Sequence, residues 1–295
     1  MKSRILTALV LIPPITYLIG WGPLWLFVVA LVLVVERSLY EFFLIARGAG
    51  FETFPRLGYI ASAALCLAPV AEINRPGSWP LGVAVVTAIL TLSLGIVAAR
   101  DLKNYFSASV VTLFGVFYLG LTLPLLVTVR YGHEALFERA TIAMASDAPP
   151  TAPLVSLTAG GKLMLFLFLV IWAGDIFAYF AGRAIGRHHF VPRISPKKTV
   201  EGSVGGFAGS LLVGWAVARV FAPSWGWKTV ILLAGLIAVA GQLGDLAESA
   251  MKRSADLKDS GSLLPGHGGM LDRIDSLIFA APVLWVALNV RQLLR

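Results

Sequence analysis

Residues 80–99 read PLGVAVVTAILTLSLGIVAA, twenty positions without a charged side chain. A helix needs about 20 mostly apolar residues to cross the hydrocarbon core of a bilayer, and this run supplies them between Arg75 and Arg100. Comparable runs recur along the chain, giving nine expected spans over roughly 5–21, 23–45, 57–73, 80–99, 106–129, 162–184, 203–221, 227–250 and 270–290. The sequence therefore predicts an all-α, polytopic integral membrane protein with about nine transmembrane helices. A transmembrane barrel would instead show short alternating segments.

Composition agrees. Of 295 residues, 58% are hydrophobic and 14% charged, and the mean hydropathy is +0.82. A soluble domain carries roughly 45–50% apolar and about 25% charged residues. The net charge of +8 would raise the question of nucleic acid in a soluble protein, but no basic run interleaved with aromatics is present, and none is expected as a partner. Cytoplasmic loops of membrane proteins carry excess Lys and Arg. Placing the N-terminus inside puts 14 of the 24 basic residues on that side and eight on the other, with Arg37 and Arg273 inside spans. The expected topology is N-terminus cytoplasmic, C-terminus outside.

The single cysteine, Cys66, lies in an apolar run and has no partner for an internal disulfide. The opening Met1-Lys2-Ser3-Arg4 resembles a signal peptide, but Pro13-Pro14 interrupts the apolar run and no small-residue cleavage site follows, so it reads as a retained first span. Gly20-Trp21-Gly22-Pro23 makes a tight hairpin between spans one and two. Ala148-Pro149-Pro150-Thr151-Ala152-Pro153 has linker composition. It divides an N-terminal transmembrane region, 1–150 with about five helices, from a C-terminal one, 151–295 with about four helices and two polar cytoplasmic loops.

A carboxylate at the centre of a span costs about 2.5–3.5 kcal/mol on the insertion scale and usually lines a polar cavity. Eight of the 16 acids lie after residue 170. Asp175, Tyr179 and Arg183 follow at helical spacing on one face; structural glue between helices is the alternative reading. Asp245, Glu248, Ser249 and Lys252 recur at i, i+3, i+4 and i+7, so one helix face carries two carboxylates, a hydroxyl and an ammonium. Hard oxygen ligands of that kind suit Mg²⁺, which takes one or two protein carboxylates and completes its shell with water and substrate phosphate. A self-neutralised ion pair sealing a bundle is the competing reading. Earlier in the chain, Glu36 and Glu41 read as interfacial or helix-to-helix polar contacts.

A glycine-rich loop, Lys258 to Gly269, enters the last span, which opens with Asp272, Asp275 and Ser276 on one face. Its backbone N–H groups and the helix start are available to anions. Between spans six and seven, Arg193-Ile194-Ser195-Pro196-Lys197-Lys198-Thr199 offers cations and hydroxyls to phosphates, or to anionic lipid alone. His188-His189 point apart and read as surface imidazoles. Gly202, Gly206 and Gly205, Gly209 give small-xxx-small spacing, most simply close helix packing and compatible with a homodimer. Gly160-Gly161-Lys162 is no Walker A loop, because Leu163 stands where Ser or Thr is required.

The run Ser249-Ala250-Met251-Lys252-Arg253, four residues, Lys258-Asp259-Ser260-Gly261, two residues, then Leu264 through Asp275 resembles the signature of phosphatidate cytidylyltransferases, the CDP-diacylglycerol synthases. Ser195 to Thr199 and Gly241 to Asp245 resemble that family as well. The similarity is diagnostic over roughly 172–276, and the first 160 residues match only in hydropathy. The resemblance implies that CTP and phosphatidate give CDP-diacylglycerol and pyrophosphate for phospholipid biosynthesis, at the cytoplasmic face, with Mg²⁺ and room for a second, monovalent cation such as K⁺. It implies Asp245 and Asp272 as principal metal carboxylates, supported by Asp175, Glu248 and Asp275. Lys197, Lys198, Lys252, Lys258, Arg193 and Arg253 would handle phosphates. Ser195, Thr199, Ser249, Asp259, His267, Gly268, Gly269 and Arg273 would bind substrate. The competing activities are a CTP-dependent kinase of polyprenols or other lipid alcohols, which would release CDP, and a secondary transporter, which would carry acids near the midplane of two repeated halves.

Overall fold

The computed structural model describes residues 12–75, 77–99, 101–132, 157–223, 225–263 and 268–293. Along these the chain runs through nine helices. A stretch α1 covers 12–20. It is followed by α2 (Leu24–Gly48), α3 (Pro55–Asn74), α4 (Trp79–Ala98) and α5 (Leu102–Gly120), the last continuing through a short turn into a π-helical turn at Thr128–Gly132. Then come α6 (Ala159–Ile185), the strands β1 (His189–Val191) and β2 (Ser195–Thr199), α7 (Val200–Phe221), α8 (Trp227–Ser254) and α9 (Leu271–Leu293).

Seven of these segments are long and apolar enough to cross a membrane, and the protein is an integral membrane protein. The sequence predicts nine, and the difference has a physical reason. Helix α2 has the length, 25 residues, but Glu36, Arg37, Glu41 and Arg47 interrupt its apolar run. The start of the expected first span, 5–21, and the expected 150/151 boundary lie outside the described residues.

Local sequence sets the helix starts. Asp101, Thr158 and Thr199 each precede a helix and accept, through the side chain, the N–H of Lys103, Gly161 and Gly202, satisfying a donor that the first turn leaves free. The expected turn at Gly20 to Pro23 forms, with Trp21 and Gly22 N–H donating to the Tyr17 carbonyl. Arg130, 3% exposed, fixes it from the far end of the α5 segment. Its Nε and Nη2 donate to the carbonyls of Ile19 (2.7 Å) and Gly20 (2.8 Å), and its Nη1 to Thr158 Oγ1 (2.6 Å).

One buried apolar cluster runs from Ile19 to Leu288 and takes residues from both ends of the chain. Helices α6 and α7 are the most closely applied pair. A Cβ on Gly206 would stand 2.7 Å from the Gly174 carbonyl oxygen and 2.8 Å from Ala178 Cβ, and Ser210 Oγ donates to the Val170 carbonyl at 2.8 Å. Gly202, Gly205 and Gly209 likewise face α6 at Ala178, Ala181 and Phe177. The small-residue spacing thus serves packing within one chain.

Candidate active site

The polypeptide between α6 and α7, expected as a polar loop, is an antiparallel hairpin, with His189 opposite Thr199 and Val191 opposite Ser195. Strand β2 ends at Thr199, the cap of α7, so Lys197 and Lys198 are delivered at a fixed distance from a helix start. They meet a cavity of about 480 Å³ walled by α6, α7 and α8, with Ser276 of α9 also in its lining.

The cavity gathers residues far apart in sequence. Asp175, Tyr179 and Arg183 come from α6, Lys197, Lys198 and Thr199 from β2, Gln242 and Asp245 from α8. Lys198 Nζ lies 2.5 Å from Asp245 Oδ2, and Ser249 Oγ lies 3.4 Å from Asp245 Oδ1. Arg183 Nη1 donates to Tyr179 Oη at 3.1 Å. Asp175, Asp245 and Asp275 are near enough to repel one another, with Lys198 and Arg273 as cations in range of Asp175. Gln242 braces the wall by donating to the Ser203 carbonyl at 3.0 Å.

A second charged group sits one helical turn further along α8. Lys252 Nζ is 2.5 Å from both Glu248 Oε2 and Asp272 Oδ1. Glu248 is fully buried and the Lys252 side chain 10% exposed, so each needs the other's charge. Asp272 Oδ2 also accepts the N–H of Ser260 (3.0 Å) and Gly269 (2.8 Å). The backbone bends at Gly268, where φ is +79° and a Cβ would stand 2.6 Å from that oxygen.

The five carboxylates expected around a metal therefore fall into two groups, Asp175, Asp245 and Asp275 by the cavity, Glu248 and Asp272 on Lys252. Among the described residues no three His, Cys, Asp or Glu side chains are gathered to hold an ion by themselves. A cation that takes one or two carboxylates and fills its shell from substrate phosphate fits the donor chemistry of the cavity group.

Several expected residues lie at the periphery. Arg193 is exposed in the hairpin turn and Ser195 half-buried at the start of β2. Arg253 donates to the carbonyls of Ile194 (3.1 Å) and Leu257 (2.7 Å), tying the hairpin to the end of α8. Lys258 and Asp259 are exposed, as is Arg273, although its charge is in range of Asp175. His267 lies outside the described residues. His188, expected on the surface, pairs its Nδ1 with Glu201 at 2.6 Å.

Residues 2–291 match the cytidylyltransferase family. The chain belongs to that family. A protein of Synechocystis sp. named phosphatidate cytidylyltransferase is 36% identical over 266 residues, 88% of this chain and 87% of the relative. Proteins of the same name from Brucella abortus and Bacillus subtilis are 50% and 44% identical over 127 and 129 residues, 43% and 44% of this chain and 47% and 48% of theirs. The resemblance read from the signature is thereby borne out at the level of family.

Sequence reasoning missed one residue at this end of the molecule. Glu41, read on α2 as an interfacial or helix-to-helix polar contact, reaches Ser260, Met270 and the Leu271 N–H beside Asp272. The only hint in the sequence is that an acid inside a long apolar helix must find donors.

Proposed function

We propose that this chain transfers the cytidylyl group of CTP to phosphatidate, releasing CDP-diacylglycerol and pyrophosphate. One observation supports the reading most directly: a single cavity between membrane helices is lined both by two acids, Asp175 and Asp245, and by Lys197 and Lys198 of a polar hairpin. That is the chemistry needed where a membrane-borne phosphate and a nucleoside triphosphate must meet. The relatives, named phosphatidate cytidylyltransferases, favour the same reaction.

A phosphate oxygen of phosphatidate attacks the α-phosphorus of CTP. One P–O bond forms, the α–β anhydride bond breaks, and pyrophosphate departs with its electron pair. The nucleophile is already ionised, so no general base is required. The task left to the protein is to bring two anions together in line and neutralise them. Lys197 and Lys198 lie at the cavity, where they meet phosphate oxygens; Lys198 exchanges its contact with Asp245 for substrate. Lys252 is held between Glu248 and Asp272, which fixes its ammonium between the end of α8 and the start of α9. Thr199 fixes the hairpin to α7, and Arg253 holds its turn. Asp245, with Asp175 and Asp275 beside it, would hold Mg²⁺, and Asp272 would serve with them by fixing Lys252. Mg²⁺ would supply charge neutralisation at the transferring phosphoryl oxygens. The basic bias of the loops favours an active site facing the cytoplasm of a bacterial cell.

The test uses detergent-purified protein with phosphatidate, Mg²⁺ and CTP labelled at the α-phosphate. Label in the organic phase with equimolar pyrophosphate is the expected result. CDP released on addition of a polyprenol, without labelled lipid, would replace this reading with a lipid-alcohol kinase.

A further inference from the structure

Glu41 lies on α2, more than 200 residues before the signature loop, and it is fully buried. A buried carboxylate needs its oxygens satisfied, and this one is. Oε2 accepts from Ser260 Oγ (2.8 Å) and the Leu271 N–H (2.8 Å). Oε1 accepts the Met270 N–H (3.0 Å) and pairs with Arg37 Nη2 at 3.2 Å, one turn back on the same helix. Two of these donors, the N–H groups of Met270 and Leu271, stand at the start of α9, where a negative charge is favoured by the helix dipole.

Ser260 links this carboxylate to the next. Its hydroxyl binds Glu41 while its N–H binds Asp272 Oδ2. Gly269 does the same by a different means. Its N–H donates to Asp272, and a Cβ there would collide with Glu41 Oε2. At Gly261 a Cβ would stand 2.7 Å from Glu41 Oε1. Residues 260–261 and 269–271 thus contact Glu41, Ser260 and Gly269 also contact Asp272, and Asp272 in turn holds Lys252.

We propose that Glu41, supplied by the N-terminal region, is a positioning residue for cytidylyl transfer, holding Ser260 and the start of α9 so that Asp272 and Lys252 keep their geometry. The proposal rests on the activity argued above. Glu41 touches no reacting group; it acts through the loop. In Glu41→Gln one oxygen becomes an NH₂ group, which must face either the Leu271 N–H or the Met270 N–H and Arg37, so at least one donor loses its partner.

The experiment compares the full chain and Glu41→Gln in detergent by kinetics, hydrogen exchange and thermal melting. A misplacement of about 1 Å far from the chemistry can cost about 100-fold. The expected result is a kcat lowered about 10- to 100-fold, with the KM for CTP unchanged within about threefold. Exchange should quicken in peptides covering 268–275, with exchange over α3 to α5 unaltered. Unchanged exchange in 268–275, or faster exchange with an unchanged kcat, would overturn the proposal. Should Glu41→Gln fail to fold, Ser260→Ala removes one Glu41 contact and leaves the Ser260 N–H to Asp272. A kcat unchanged in that variant, despite faster exchange, also counts against it. A wild-type chain that makes no CDP-diacylglycerol would sink the activity instead, leaving exchange to decide whether Glu41 anchors the loop.

Discussion

Lys198 and Asp245 are the closest opposite charges on the cavity wall, and both are about one-third exposed, so their attraction alone contributes little to stability. Their worth lies in what they meet when substrate arrives. Lys198→Met and Asp245→Asn should each lower cytidylyl transfer at least about 100-fold, and the double variant should lose far less than the product, because residues acting as a unit are non-additive. Labelled-CTP assays of the three variants check this; multiplicative losses would mean that the two act separately. Asp272→Asn removes the charge opposite Lys252 and weakens two backbone contacts, so its kcat should also fall, with a changed Mg²⁺ response. Near-normal turnover and Mg²⁺ dependence would remove Asp272 from the site. The chemistry of these side chains was legible in the sequence, since acids within spans and lysines in a polar loop are expensive or conspicuous. Their grouping was not. Helical spacing put Asp245, Glu248 and Lys252 on one face, but it could not say that Lys252 would bind Asp272 while Lys198 took Asp245. That choice depends on how α8 and α9 lie together.

At the level of elements, the apolar runs located the helices well. The run at 80–99 became Trp79–Ala98, and 203–221 became Val200–Phe221. What escaped was the hairpin at His189–Thr199, whose strands of three and five residues carry no alternation long enough to read. Its junction with α7 makes a testable point. Thr199→Val deletes the hydroxyl that accepts the Gly202 N–H at 3.1 Å, and should cost about 1 kcal/mol of stability, read as a lower melting temperature, together with lower activity because Lys198 is its neighbour. The α6 and α7 contact is stricter. In Gly206→Val the new side chain has no room against the Gly174 carbonyl and Ala178, an overpacking that costs about 1–3 kcal/mol. Thermal melting in detergent checks it, and an unchanged melting temperature would show that the helices can part without loss.

Among the described residues, seven helices qualify as spans by length and composition, and α2 qualifies by length alone. Its charges are not idle: Glu36 accepts from Ser62 Oγ at 2.6 Å on α3, and Glu41 from the loop before α9. A charged helix can therefore sit in the bundle because its partners are protein groups rather than lipid. Hydropathy could not reveal this, because it scores a residue without its neighbours. The basic bias sets the orientation to be tested. A reporter fused after Arg295 should be active on the outer side of the membrane, and a cytoplasmic signal would reverse the topology.

The cavity has lining from two solvents: Ile171, Ile237 and Ala238 belong to membrane helices, while Lys197 stands on a polar hairpin. On the proposed reading, one substrate reaches it by diffusing in the plane of the bilayer and the other from bulk water. The relevant quantity for phosphatidate is then its mole fraction in the surface, not its molarity. Adding inert lipid or detergent at constant total phosphatidate should slow turnover, while the dependence on CTP concentration stays that of an ordinary aqueous ligand.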